Sequence, residues 1–306
     1  MGELRHYRSI VMDSSRWWGF EFRPGDIVIS TPPKCGTTWT QMLCALLIFD
    51  STEFYAPLSR ISPWFDMSLY SPAEIAETLA AQQHRRFIKT HTPLDGITYD
   101  DRVTYLCVGR DPRDAHVSWT HHMANMNLEV LIATRAAAVG LDDLDDFDLT
   151  VREYDDPVER FLTWVDDDSD LSTLRAALHH YETFWDNELP NTAMFHYADL
   201  KRDLPGQMRR LADVLAIDVT DERLEQLAAA AEFAQMKQRA ADLAPNAHQQ
   251  IWLSTDEFFH RGAVGQWRDI LDEAALAHYE QRVASLAAPP LATWAHEGWL
   301  GSTALT

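Results

Sequence analysis

DIVISTPPKCGTTWTQMLCALLIF, Asp26 to Phe49, is the stretch on which the reading of this 306-residue chain turns. Asp26–Ser30 is a short apolar run, the pattern of a buried strand. Thr38–Phe49 sets Trp39, Met42, Leu43, Leu46 and Leu47 on one stripe at helical spacing, which predicts a helix. Between them lie Pro32, Pro33, Lys34 and a single glycine, Gly36. Where a strand delivers the chain to a helix start, unpaired backbone N–H groups aim at whatever sits above the sheet. Gly36 lets the backbone come close, Thr37 and Thr38 add hydroxyls, and Lys34 adds a mobile positive charge. The set suits a phosphate or a phosphosulfate. An ordinary strand–helix turn stiffened by two prolines explains the stretch equally well when it is taken alone. It is not the common ATPase loop, which carries two glycines with its lysine after the second.

Outward from this stretch, strands and helices alternate. Further strands are expected at Arg86–Thr90, Val103–Gly109 and Ala193–Tyr197, all near-continuous apolar runs, as when helices cover both faces of a sheet. Helices are expected at Asp111–Met123, Pro157–Val165, Leu171–Asn187, Leu204–Leu215 and Asp272–Leu286. The expected fold is α/β, a three-layer sandwich with a central parallel sheet and helices on both faces. No repeat or low-complexity linker divides the chain, so residues 1–306 are read as a single domain. Asn125–Tyr154, with its acidic segment AVGLDDLDDFDL, is read as a surface loop or lid, and Asp242–Gly265 as a long loop.

The formal net charge of -21 argues against nucleic acid or an anionic membrane as the main partner, because both favour basic surfaces. A small anion in a locally positive pocket remains compatible with it. Cys35, Cys44 and Cys107 show no metal-ligand spacing and are expected to be free thiols. No metal site is expected. The start, MGELRHYRSIVMDSS, has no apolar core of a signal peptide, and His6 breaks the myristoylation pattern. TQMLCALLIF is too short to span a bilayer. A cytoplasmic protein without a transmembrane segment is the expectation.

Three more stretches carry chemistry. In GRDPRDAHVSW, Gly109–Trp119, Arg110 closes a strand and Ser118 follows about two helical turns on. Arg110 can fork onto a phosphate, or it can pair with an aspartate of RDPRD. In FIKTHTPL, Phe87–Leu94, Lys89 and His91 stand two apart at a strand end and so leave on one face. That edge is where open α/β sheets bind ligands, and a histidine there is placed for proton transfer. A surface histidine is the plainer alternative. In FFHRGAVGQW, Phe258–Trp267, two glycines and Arg261 suggest a backbone-rich anion clamp or a simple glycine turn.

Taken together and in order, the four stretches resemble the soluble sulfotransferases that use 3′-phosphoadenosine 5′-phosphosulfate (PAPS). That family carries P-K-S-G-T-T-W, read here as PKCGTTW with Cys35 for serine. It carries K-T-H, here Lys89–His91. It carries R-x-P-x-D-x-x-x-S, here Arg110 to Ser118, and R-K-G-x-x-G-x-W, here HRGAVGQW with His260 and Arg261 in the basic positions. The match runs from Asp26 to Trp267. The resemblance implies that Lys34, Cys35, Gly36, Thr37, Thr38 and Trp39 hold the 5′-phosphosulfate. It implies that Arg110, Ser118 and Arg261 hold the 3′-phosphate with His260 and the backbone at Gly262. Trp39 would stack on adenine, with Tyr197, Phe233 and Phe259 around it. His91 would be the general base, and Lys34 and Lys89 would stabilise charge on the transferring group. 3′,5′-Adenosine bisphosphate would be the by-product, and no metal is implied.

The acceptor is expected to be a partly hydrophobic alcohol, aryl, lipid or glycolipid, if Trp17, Trp18, Phe20, Trp64, Phe65, Met123 and Met126 line its pocket rather than the core. A P-loop-type ATP-dependent kinase, with Asp111 on a metal, and a non-catalytic nucleotide-binding protein are the competing readings.

Overall fold

The computed structural model describes residues 3–147, 154–169, 171–187, 189–245 and 249–302. Arg8–Ser9 (β1) and Met12–Asp13 (β2) form a small antiparallel ribbon. Ile27–Ser30 (β3), Phe87–Thr90 (β4), Thr104–Gly109 (β5) and Thr192–His196 (β6) form one parallel sheet in the order β4-β3-β5-β6. Each strand of the parallel sheet starts within a residue of its expected position, whereas the β1–β2 ribbon was not expected.

The strands are apolar throughout because helices cover both faces. Val28, Ile88, Tyr105 and Cys107 face one core with Phe161, Tyr181 and Trp294. Ile27, Ile29, Leu106 and Val108 face the other with Leu43, Leu46 and Leu211. This is the expected three-layer arrangement. The expected helices are present at Thr37–Phe49, Pro112–Ala124, Pro157–Asp166, Leu174–Trp185, Leu204–Val214 and Glu273–Leu286. The strand expected to run to Tyr197 ends at His196, whose side chain accepts from Ala198 N and caps the short helix Tyr197–Arg202.

One stretch departs from the sequence reading. Asn125–Tyr154 is not one loop. Asn127 caps a helix, Leu128–Val139, through Val130 N, and only residues 148–153 of the segment fall outside the described residues. Asn125–Asn127 is also tied to the other long loop. Leu253 N donates to Asn125 O at 2.8 Å, Asn127 N to Ile251 O at 2.9 Å, and Met126 bridges Trp252. The two irregular stretches brace each other and bring Met126, Ile251 and Trp252 over the open end of the sheet.

At the other edge, Pro63–Phe65 runs beside β4. Lys89 N donates to Pro63 O at 3.0 Å and Phe65 N to Lys89 O at 3.0 Å. Trp64 is thereby fixed beside Lys89.

Candidate functional site

The loop after β3 is held open by its backbone. Gly36 sits at φ 103° and Lys34 at φ 66°, the left-handed region. For lysine this costs on the order of 1 kcal/mol. Arg110 secures it by donating from Nη1 to Lys34 O at 3.0 Å. The space at Gly36 is also tight, since a Cβ there would stand 3.2 Å from the Tyr197 ring. The first intrahelical bond runs from Thr40 N to Gly36 O, and no side chain caps the helix start. The amides of Thr37, Thr38 and Trp39 therefore have no acceptor within the helix.

These residues line a cavity of about 230 Å³ at the carboxyl edge of the sheet. Lys34, Gly36, Thr37, Thr38, Trp39, Lys89, His91, Arg110, Ser118, Tyr197, Phe233, Phe259, His260, Arg261 and Gly262 all reach it. Cys35 is the exception. It is fully buried, its Sγ lies 3.2 Å from the Tyr181 hydroxyl, and burial pushes its thiol up to about 11. The correction has a simple cause. The left-handed turns on either side aim this one side chain beneath the sheet edge, so only its backbone belongs to the loop.

His91 follows β4 directly. Its Nδ1 lies 2.7 Å from Thr31 O, a carbonyl that can only accept, so Nδ1 carries the proton and Nε2 is left with its lone pair. Burial, then Lys89 nearby, holds the imidazole well below its ordinary range. His91 is therefore neutral near pH 7. Its ring stands edge-on to Trp64, centroids 4.7 Å apart, and the Lys89 ammonium lies 4.4 Å from the Trp64 ring centre. Lys89 is lowered to about 8 by burial, and Lys34 to about 7 by burial and then by Arg110 and Lys89. Lys34 is thus crowded by two other cations, whereas Asp66 partly supports the charge on Lys89.

Arg110 is buried at the base of the cavity. Its Nη2 donates to Ala263 O at 3.0 Å, its guanidinium lies 4.4 Å from the Tyr197 ring centre, and its buried Nε has no partner among the described residues. The ion pair that might have absorbed it goes elsewhere: Arg113 takes Asp111 at 2.7 Å. Asp111 also caps its helix by accepting from Arg113 N at 3.0 Å, so it is engaged away from any metal role a kinase would need. His260 stacks on His121 with centroids 3.8 Å apart, and its buried Nε2 is likewise without a partner. Trp39 donates its indole N–H to Ala231 O at 2.8 Å, and a Cβ at Gly262 (φ 59°) would strike Phe233 at 2.3 Å. The aromatic walls are thus set by close backbone approach.

Two site residues were missed by the sequence reading. His122 holds Lys34 Nζ at 3.1 Å from its Nδ1, and burial keeps it neutral, well below its usual range. It stands four residues after Ser118 on the same helix, a spacing that would have found it. Asp114 accepts from Gly265 N at 2.6 Å and Gln266 N at 2.8 Å, fastening the His260–Gly265 loop to helix Pro112–Ala124. Only the fold shows that pairing, across 151 positions.

The acceptor candidates divide. Trp64 and Met126 line the cavity. Trp17 and Phe65 are buried in the core with Phe20 packed on them, whereas Trp18 and Met123 are exposed. The apolar end of the cavity is made instead by Val11, Met67, Leu131, Ile251, Trp252 and Phe258.

Helix-start amides with no intrahelical acceptor, the unpartnered Arg110 Nε and a neutral His91 stand together at the sheet edge, a setting that suits an anionic ligand. The chain belongs to the sulfotransferase family and is a sulfotransferase: the sulfotransferase domain model matches residues 24–288. It is 43% identical to the glycolipid sulfotransferase of Mycobacterium bovis, covering 96% of this chain and 95% of that one, and 43% identical to the glycolipid sulfotransferase of Mycobacterium tuberculosis over the same shares. Among solved structures, the fold is shared with retinol dehydratase in complex with androsterone and inactive cofactor PAP (22% identity, TM-score 0.64, covering 90% of this chain and 86% of that one). It is shared also with the mouse sulfotransferase SULT7A1 complexed with PAP (17%, TM-score 0.66, 90% and 88%). Among the described residues no helix is long and apolar enough to cross a membrane.

Proposed function

We propose that this sulfotransferase moves a sulfuryl group from PAPS to a hydroxyl of a glycolipid or similarly hydrophobic alcohol. The observation that carries the reading is the tautomer of His91, fixed by Thr31 O so that Nε2 is a lone-pair base in a cavity flanked by Lys34 and Lys89. The cavity suits a donor of about four negative charges: the Arg110 Nε and His260 Nε2 are buried without partners, and the helix start presents three amides.

Lys34, Gly36, Thr37 and Thr38 hold the 5′-phosphosulfate end. Arg110, Ser118, His260, Arg261 and the backbone of Gly262 hold the 3′-phosphate, and Trp39, Tyr197, Phe233 and Phe259 enclose the adenine. When bound, the donor supplies the sulfuryl group, its S–O bond to phosphate breaking as the acceptor oxygen bonds to sulfur. His91 Nε2 takes the acceptor's hydroxyl proton as that oxygen attacks. Lys34 and Lys89 regain full charge as an anion offsets their burial, and so counter the negative charge that develops on the sulfuryl and bridging oxygens. His122 presents Lys34 to that position through Nδ1. The apolar end beside Trp252 and Met67 takes the hydrocarbon of the acceptor, as the names of the mycobacterial relatives suggest.

The test is transfer of labelled sulfate from PAPS to a short-chain glycolipid. Wild type should give a labelled lipid product. His91→Ala should lose about 10²–10⁴-fold in kcat while still binding 3′,5′-adenosine bisphosphate. Labelled product from the variant at the wild-type rate would remove His91 from the mechanism.

A further inference from the structure

Beyond Trp64 lies a second hollow of about 440 Å³, which shares Trp64, Met67, Lys89 and Pro245 with the donor cavity as walls. Its lining differs in kind from the apolar end beside Trp252. Trp64 and Tyr70 supply ring surfaces, and Arg60, Glu74, Glu77 and Thr78 supply charged and hydroxyl groups around them. Arg60 and Glu74 both stand close enough to act on the Tyr70 phenol electrostatically. Glu74 is partly engaged in the capping box with Ser71, accepting from Ser71 N at 2.8 Å. Arg60 and Glu77 are exposed on the rim of the hollow, where neither forms an ion pair with another described residue.

Ring faces beside an unpaired guanidinium and carboxylate match a hydroxylated sugar, whose C–H faces pack on aromatic rings and whose hydroxyls both donate and accept. A free hydrocarbon would make no use of the charged and hydroxyl groups on this rim. Trp64 fixes the position of the hollow relative to the chemistry, since its ring is 4.7 Å from that of His91.

We propose that this hollow is a second acceptor subsite, which takes sugar rings beyond the one whose hydroxyl reaches His91, with Trp64 as the shared wall. The assignment rests on the reading of the acceptor as a glycolipid. It makes the enzyme selective for glycolipids with two or more sugars over those with one.

The test is calorimetric titration of protein saturated with 3′,5′-adenosine bisphosphate, using an octyl disaccharide and an octyl monosaccharide below their micellar concentrations. The disaccharide should bind about tenfold more tightly, the worth of one or two added hydrogen bonds. Arg60→Ala and Glu77→Ala, both on the rim, should each reduce that advantage and leave bisphosphate binding and the monosaccharide unchanged. Equal affinity for the two sugars, or an advantage that survives both substitutions, would overturn the subsite while leaving the donor reading intact. Failure to bind the bisphosphate at all would overturn the donor reading, and this inference with it.

Discussion

Lys34 shows how a single residue is tuned by its surroundings. Burial lowers its ammonium to about 7, and Arg110 and Lys89 push the same way. Below pH 7 the amine is charged before any donor arrives, and above it the amine must take up a proton on binding. Affinity for 3′,5′-adenosine bisphosphate should therefore fall as pH rises above about 7, by up to tenfold per unit. Calorimetry in buffers of different ionisation enthalpy would read the proton uptake, and Lys34→Met should remove most of it near pH 7, leaving the share that Lys89 takes up at higher pH. His91 moves the other limb. Because its imidazole is held well below its ordinary range, kcat should keep its plateau down past pH 6.5, measured as the acid limb of the pH–rate profile. Lys34, His91 and Arg110 were legible in the sequence because each sits at a strand end in a recognisable string. Asp114 was not, because its importance lies in a partner 151 positions away, whereas His122 was overlooked although it stands four residues beyond Ser118 on the same helix. The inward aim of the Cys35 side chain was not legible, because a string of letters does not carry the left-handed turns on either side of it.

Among the elements, the four strands of the parallel sheet were legible to within a residue, since burial on both faces leaves an unmistakable apolar run, but the short β1–β2 ribbon was not. Helices were read less evenly. Pro72–Ala81 went unread even though Ser71 and Glu74 spell a capping box. Leu128–Val139 was hidden by the acidic segment that follows it and by its sparse burial, with only Leu131 and Arg135 inside. Asp221–Ala230 and Pro289–Ser302 were also missed. The second is broken at Gly298 (φ 71°), which interrupts any single helical period. The Phe259–Gly265 loop lines the cavity, and Asp114 fastens its end to the helix Pro112–Ala124. Asp114→Asn exchanges a charged acceptor of two backbone N–H groups for an amide that can accept only through one oxygen. That should cost about 1.5–3 kcal/mol. Thermal unfolding should show a lowered Tm, and bisphosphate affinity should fall about tenfold as His260 and Arg261 lose their anchor.

For the whole molecule, the chain carries a net charge of -21 yet collects Lys34, Lys89, Arg110 and Arg261 around one cavity. That contrast was legible from composition and motif together: an acidic surface and a cationic site at the open edge of a parallel sheet. The acceptor end was not legible, because the aromatic residues nearest in sequence to the motifs are mostly core. Its wall is assembled by two irregular segments that brace each other across the fold. The account stands or falls on the donor site. Binding of 3′,5′-adenosine bisphosphate should be measured against ATP with magnesium, on wild type and on Arg110→Ala. The account predicts tight, metal-independent binding of the bisphosphate by wild type, weakened by about 30-fold or more in the variant, as expected for a buried charged contact worth about 2 kcal/mol or more. Binding of magnesium ATP alone, indifferent to Arg110, would contradict it.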